Sequence, residues 1–187
     1  MAWSNAGKGV VVCLLGGTLV AFLVEARPWS LVALALLVLC SVSIMVLDAL
    51  HRRRVVQRFR AAFEPKGKDL LLVYSNSPHW RQYVETNWLT RWGAHAVVLN
   101  WSERHIWQTR ARSTPPEVAL FQAFSGTREF NPLAIVVPRR GHAVHIVRFW
   151  KAFRDHKHGK PARLRTCEAQ VEEFLAKARG SAEVVRS

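Results

Sequence analysis

Acidic residues are scarce in this chain: 13 Asp and Glu stand against 27 Lys and Arg, a formal net charge of +14. The few carboxylates form no cluster beside the histidines, which removes the usual oxygen-rich metal cage. Cysteine is scarcer still. Cys13, Cys40 and Cys167 form no C-x-x-C pair and no zinc spacing, so no disulfide framework is expected and a reducing, cytosolic compartment fits. Glycine-rich signatures are missing as well: there is no Walker loop, no G-x-G-x-x-G and no nucleophile elbow, and Gly16-Gly17 falls inside an apolar run. No cofactor is expected, and the balance is against an enzyme.

Long apolar runs are what the chain does have. The first, Gly9 to Val24, is bounded by Lys8 and Glu25; the second, Trp29 to Leu47, by Arg27-Pro28 and Asp48. A bilayer core needs about 20 mostly apolar helical residues, with ~17 as a lower limit. The second run passes and the first is marginal. Only Glu25 to Pro28 separates them, so residues 1–50 read as a transmembrane helical hairpin. A cleaved signal peptide competes for the first run, with Val24-Glu25-Ala26 as a loose cleavage site. Both readings keep the second run as an anchor. The basic cluster Arg52, Arg53, Arg54, Arg58 and Arg60 behind it predicts that everything after residue 50 faces the cytosol, at the inner membrane.

Lys8 and Arg27 balance Glu25 and Asp48, so the whole net charge belongs to the chain after residue 50. Such a segment is drawn to anionic lipid head groups. Residues 51–68 read as a basic juxtamembrane helix and linker. Val55, Val56, Phe59 and Phe63 alternate with the arginines there, as in a helix lying partly on the membrane. A plain positive-inside stop signal explains the same residues. Nucleic acid is a weaker third partner, since no recognition motif accompanies the charge.

Residues 69–178 read as one α/β domain, with a flexible tail at 179–187. Asp69 to Ser75 predicts a strand buried on both faces. Ser77-Pro78 supplies an N-cap and a first helical proline, and Trp80, Val84, Trp88 and Trp92 then recur at helical spacing. His95 to Trp101 is a second buried-type strand, and Ser102 to Ser113 a loop or short helix. Thr114 and Glu117 have capping-box spacing ahead of a helix through Val118, Phe121 and Phe124, closed by Gly126. Asn131 to Pro138 is a third strand, Arg139-Arg140-Gly141 a hairpin turn, and His142 to Trp150 the antiparallel return. A basic loop through Asp155, His156 and His158 leads to a last helix. Its apolar face, Leu164, Cys167, Val171, Phe174 and Ala178, makes Cys167 a core residue. The order is β-α-β-α-β-β-α.

The remaining chemistry-bearing residues group poorly. His142 and His145 fall on opposite faces of a strand. His156 and His158 flank Lys157 on a basic loop, so no metal site is expected. Trp3 and Trp29 suit a membrane interface. Trp101, Trp107 and Trp150 lie near Arg104, Arg110 and Lys151, as a membrane or partner surface would have them.

The element order, with Asn131-Pro132-Leu133-Ala134-Ile135-Val136-Val137 followed by Gly141 and a return strand, resembles the thioredoxin-like fold superfamily. A truncated flavodoxin-like domain shares the first three strands. The resemblance implies a cis Asn131–Pro132 bond beside a binding groove. It also exposes a departure: the redox position holds Ser75-Asn76-Ser77-Pro78-His79-Trp80, without a thiol, so disulfide exchange is not expected. What remains is a helix N-terminus lined by Ser75, Asn76, Ser77 and His79, able to bind an anion or carboxylate. Some glutathione transferases, of the wider fold, use a serine there. Ser77 is better explained as an N-cap and His79 as an exposed first-turn residue. Three functions follow, in order: a membrane-tethered, non-redox binding or scaffold domain near the inner leaflet, an enzyme of the glutathione- or thiol-conjugate-binding type, and membrane-associated nucleic-acid binding.

Overall fold

A computed structural model describes residues 28–106, 114–125, 131–141 and 143–183. The first apolar run, its hairpin turn and the competing cleavage site lie outside these residues, as do Trp3, Trp107, Arg110, Gly126 and His142. The chain divides into two compact units, Met1–Arg54 and Val55–Ser187.

The second apolar run is helical. It forms the first part of α1 (Pro28–Phe63), a helix long and apolar enough to cross a membrane. Leu36, Leu39, Met45 and Leu47 are each more than half exposed, and among the described residues no layer covers them. The hydroxyls of Ser41 and Ser43 donate back to the carbonyls of Leu37 and Leu39, both at 2.8 Å. Both hydroxyls are thus satisfied within the helix itself.

The second unit is a mixed α/β structure built on a four-stranded mixed sheet of order β2-β1-β3-β4. Strand β1 (Leu70–Tyr74) is parallel to β2 (Ala96–Asn100) and antiparallel to β3 (Leu133–Val136), which pairs antiparallel with β4 (His145–Arg148). The five apolar residues of β1 are all buried, as expected for a central strand. Strand β2 departs from the expected buried type. It is an edge strand, and Val98 in its middle is 42% exposed. The peptide bond between Asn131 and Pro132, just ahead of β3, is cis.

Side-chain alternation sorts the core into two clusters, one on each face of the sheet. Leu70, Leu72 and Tyr74 pack with Ala134, Val136 and Val147 under helices α2 (81–92), α4 (Trp150–Lys157) and α5 (Ala162–Glu183). Leu71 and Val73 pack with Leu99, Leu133 and Ile135 under α3 (Pro116–Phe124), where Val118, Leu120 and Phe121 are buried. The same cluster takes in Val55, Val56 and Phe59 from the last turns of α1, all at most 3% exposed. Residues read as a membrane-surface helix are thus core residues, because the second sheet face needs cover that α3 alone does not give. The folded unit begins at Val55, ahead of the domain start expected at residue 69.

Three local expectations also change. Helix α2 is interrupted by a π turn, Val84–Trp88, between short α-helical pieces Arg81–Tyr83 and Leu89–Trp92. Steps of four residues drift ~40° per turn on a 3.6-residue helix, and the wider π turn takes up that drift. Val84, Trp88 and Trp92 consequently stay in one buried column. Helix α3 starts from Pro115 with no side-chain cap, so the Thr114–Glu117 capping box does not form. The basic stretch expected as a loop is helix α4. Phe149, Ala152 and Phe153 recur at helical spacing and are buried, while the basic residues face out, and Gly159 in the left-handed region (φ +76°) follows the helix end. Helix α5 continues beyond Ala178 to Glu183, past the expected start of the tail.

Phe59→Ala tests the new boundary. Emptying this fully buried site is expected to cost the α/β unit about 3–5 kcal/mol in chemical denaturation. A membrane-surface Phe59 predicts no change.

Candidate functional site

The antiparallel register Val73↔Leu133 puts Asn131 and Pro132 at the sheet end from which the Ser75–His79 loop leaves β1. Tyr74↔Asn100 brings the end of β2 to the same place. The residues singled out from sequence are therefore gathered at one end of the sheet. Ser75 and Ser77 are half-buried, Asn76 and His79 exposed, and Asn131 and Pro132 buried.

The polar groups there are largely spent on one another. The Asn76 N–H donates to Ser102 Oγ at 2.9 Å, and Asn100 Nδ2 donates to Asn76 Oδ1 at 2.9 Å and to Glu103 Oε1 at 3.1 Å. Ser77 organises the turn before α2: its Oγ accepts from the His79 N–H at 3.4 Å, and its carbonyl from the N–H groups of Trp80 and Arg81. Trp80 Nε1 donates to the Ser75 carbonyl at 3.2 Å. An anion seated at this helix start would have to displace these bonds. The exception is Asn131 Oδ1, buried with no hydrogen-bond partner among the described residues.

The expected basic surface is also partly committed. Arg60 donates through Nη2 to the carbonyls of Pro138 and Gly141, the latter at 2.6 Å, and burial lowers its pKa. Arg58 donates to the Thr114 carbonyl at 3.2 Å and Arg52 to Asp48 at 2.9 Å. Arg53 and Arg54 are exposed. Arg60 and Arg139 line a shallow open depression with Ala61, Glu64 and Pro65. Trp101 and Trp150 are half-buried, under the guanidinium groups of Arg104 and Arg154 at 5.5 and 5.3 Å.

Two buried carboxylates were not singled out from sequence. Asp69, 3% exposed, faces Arg139 at 3.4 Å and Arg179 at 3.9 Å. Glu168 accepts from Trp88 Nε1 at 2.7 Å and from the Tyr83 hydroxyl at 2.9 Å through one oxygen. The signal for Glu168 was present: it shares the helical stripe of Leu164, Val171 and Leu175, an acid where apolar residues belong. Burial first, then the bond to Glu168, pushes the Tyr83 hydroxyl up to about 12. Cys167 beside it is half-buried at the edge of the core, and burial raises its thiol pKa. That environment favours the unreactive thiol form. His145 stacks on Phe174 at 4.3 Å. Among the described residues no group of three or more His, Cys, Asp or Glu could hold a metal ion.

These contacts fix the pH response. A hydroxyl whose folded pKa is raised contributes stability that is whole below its unfolded value near 10 and is lost as pH climbs toward about 12. Tyr83→Phe is expected to flatten part of that alkaline loss in denaturation curves taken across the window. Glu168→Ala leaves the Trp88 and Tyr83 donors without their acceptor and is expected to destabilise by ~2–3 kcal/mol at neutral pH.

Comparison with family models, with curated proteins and with solved structures finds no match to this chain, so the geometry itself is what a functional reading rests on.

Proposed function

We propose that this chain is a membrane-anchored, non-redox recognition domain of thioredoxin-like fold, held on the cytosolic face of the inner membrane. The observation that carries it is helix α1, whose first part is apolar and exposed, whose later part carries the arginines, and whose last turns are core residues of the α/β unit. The fold reading is supported by the order β2-β1-β3-β4, with only β3 antiparallel to the other strands, and by the cis bond ahead of β3.

Absence of a thiol between Ser75 and Trp80 argues for binding over exchange chemistry. The excess of positive charge after residue 50 favours anionic head groups and acidic partner surfaces. Five arginines behind the span favour a cytosolic domain.

Anchoring and sidedness are tested together. The chain, expressed with a C-terminal tag, should stay in the membrane pellet after alkaline carbonate washing. Its α/β unit should be digested by protease in inside-out vesicles and protected in right-side-out ones. Replacing Leu36, Leu39, Met45 and Leu47 together by Asn should release it. Carbonate extraction of the unaltered chain sinks the anchor, and the reverse protease pattern sinks the orientation.

A further inference from the structure

We propose that β2 is the pairing edge of a symmetric dimer, in which the β2 strands of two copies run antiparallel about Val98 and join their sheets. The proposal rests on the membrane reading for the local concentration of the chain, and on the α/β unit alone for its geometry.

Strand β2 ends the sheet on one side, with β1 as its single neighbour. Main-chain groups alternate along a strand, and the bond from the Asp69 N–H to the His95 carbonyl fixes the phase. His95, Val97 and Leu99 turn theirs toward β1; Ala96, Val98 and Asn100 turn theirs outward. The outward groups of Ala96 have partners, its N–H on the Gly93 carbonyl and its carbonyl on Lys68 Nζ at 2.7 Å. Among the described residues nothing takes the outward N–H and carbonyl of Val98.

The side chain repeats the message. Outside the apolar stretch of α1, Val98 is the one strongly exposed large aliphatic among the described residues. The strand Ala96-Val97-Val98-Leu99-Asn100 carries no charge, no proline and no bulge, the usual devices that keep an edge from pairing.

A second copy fits this edge in both shape and charge. Antiparallel pairing about Val98 sets Ala96 against Asn100 of the other copy and Val98 against itself. The two Val98 residues then exchange N–H and carbonyl as a hydrogen-bonded pair. The same symmetry carries Lys68, beside Ala96, toward the exposed carboxylate of Glu103, which accepts from Asn100 at the opposite strand end. That contact occurs twice, once in each direction, as an isologous interface demands. Confinement of both copies to one membrane raises their effective concentration, which lets a five-residue edge suffice.

The test uses the full chain in native membranes, with Cys13, Cys40 and Cys167 replaced by Ser and one cysteine returned at a time. Facing residues of a hydrogen-bonded antiparallel pair have Cα atoms about 5.5 Å apart, inside the ~4.4–6.8 Å range of disulfides. Val98→Cys is therefore expected to give an oxidised dimer. Val97→Cys and Asn100→Cys, which face other positions, should not do so alone. Lys68→Glu or Glu103→Lys should lower the Val98→Cys yield by ~3–10-fold, and the two together should restore it.

Equal crosslinking at 97, 98 and 100, or none at 98, overturns the proposal; the latter also covers an edge occupied by another protein. A Val98→Cys dimer indifferent to both charge reversals overturns it as well. Carbonate extraction of the same membranes reads anchoring separately. A retained chain without the position-98 crosslink defeats the dimer alone, and an extracted chain that crosslinks there in concentrated solution defeats the anchor alone.

Discussion

Five consecutive apolar side chains, Leu70 to Tyr74, alternate across the sheet and are all buried, so both sheet faces must be covered. On one face three helices share that work, with Trp88 at the centre of an aromatic group that includes Phe149 and Phe153. On the other face α3 is only nine residues long. The deficit is met by Val55, Val56 and Phe59, residues that in sequence belong to the tail of an apolar helix. The need to cover β1 on both sides is thus what makes the last turns of α1, from Val55 on, part of the folded domain.

The same strand sets where charge is tolerated. Asp69 immediately precedes it and is almost wholly buried, which is sustainable only with cations close by; Arg139 from the β3–β4 turn and Arg179 from α5 supply them. Glu168 sits in the helical layer, held by two neutral donors, Tyr83 and Trp88. At the far end of β1 the polar groups of Asn76, Asn100, Ser102 and Glu103 close on one another. One end of the sheet is consequently fixed by ions and the other by amides and hydroxyls, and the second end carries the sequence-derived candidates. Asn131 is buried there with its side-chain oxygen unpaired among the described residues.

Much of this was legible in the residues because periodicity reports burial. The alternating and all-apolar runs located the four strands, and the four-residue spacing of Val84, Trp88 and Trp92 located a helix. What escaped was whatever depended on a partner distant in sequence. Arginines interleaved with Val55, Val56 and Phe59 look the same whether a sheet or a lipid surface lies beneath. Helix α4 was hidden by its charge, since Phe149, Ala152 and Phe153 supply a short stripe within a stretch that is otherwise basic. The exposed middle of β2 was illegible for the same reason, because an edge strand and a central strand differ in their neighbours and Ala-Val-Val-Leu-Asn suits either. Thr114 and Glu117 had the right spacing for a cap, yet the dihedral angles of Pro115 start α3 one residue later.

On the proposed membrane reading, the arginines behind the candidate span act at two moments that impose different demands. Retention of positive charge on one side is decided on the nascent chain, where what counts is how many Lys and Arg lie within about 15–20 residues of the span. At that stage Arg52 through Arg60 are equivalent. After folding they are not: Arg58 and Arg60 tie α1 to the carbonyls of Thr114, Pro138 and Gly141, while Arg53 and Arg54 stay at the surface. A guanidinium keeps its charge when it donates to a neutral carbonyl, so building these residues into the fold does not weaken the earlier signal. Arginine suits both roles because its charge is the harder to lose. A lysine at position 60 would serve the topology equally, but both carbonyls are met by the one Nη2 nitrogen in a site where burial already lowers the arginine's pKa, and an ammonium gives up its proton to burial more readily than a guanidinium does.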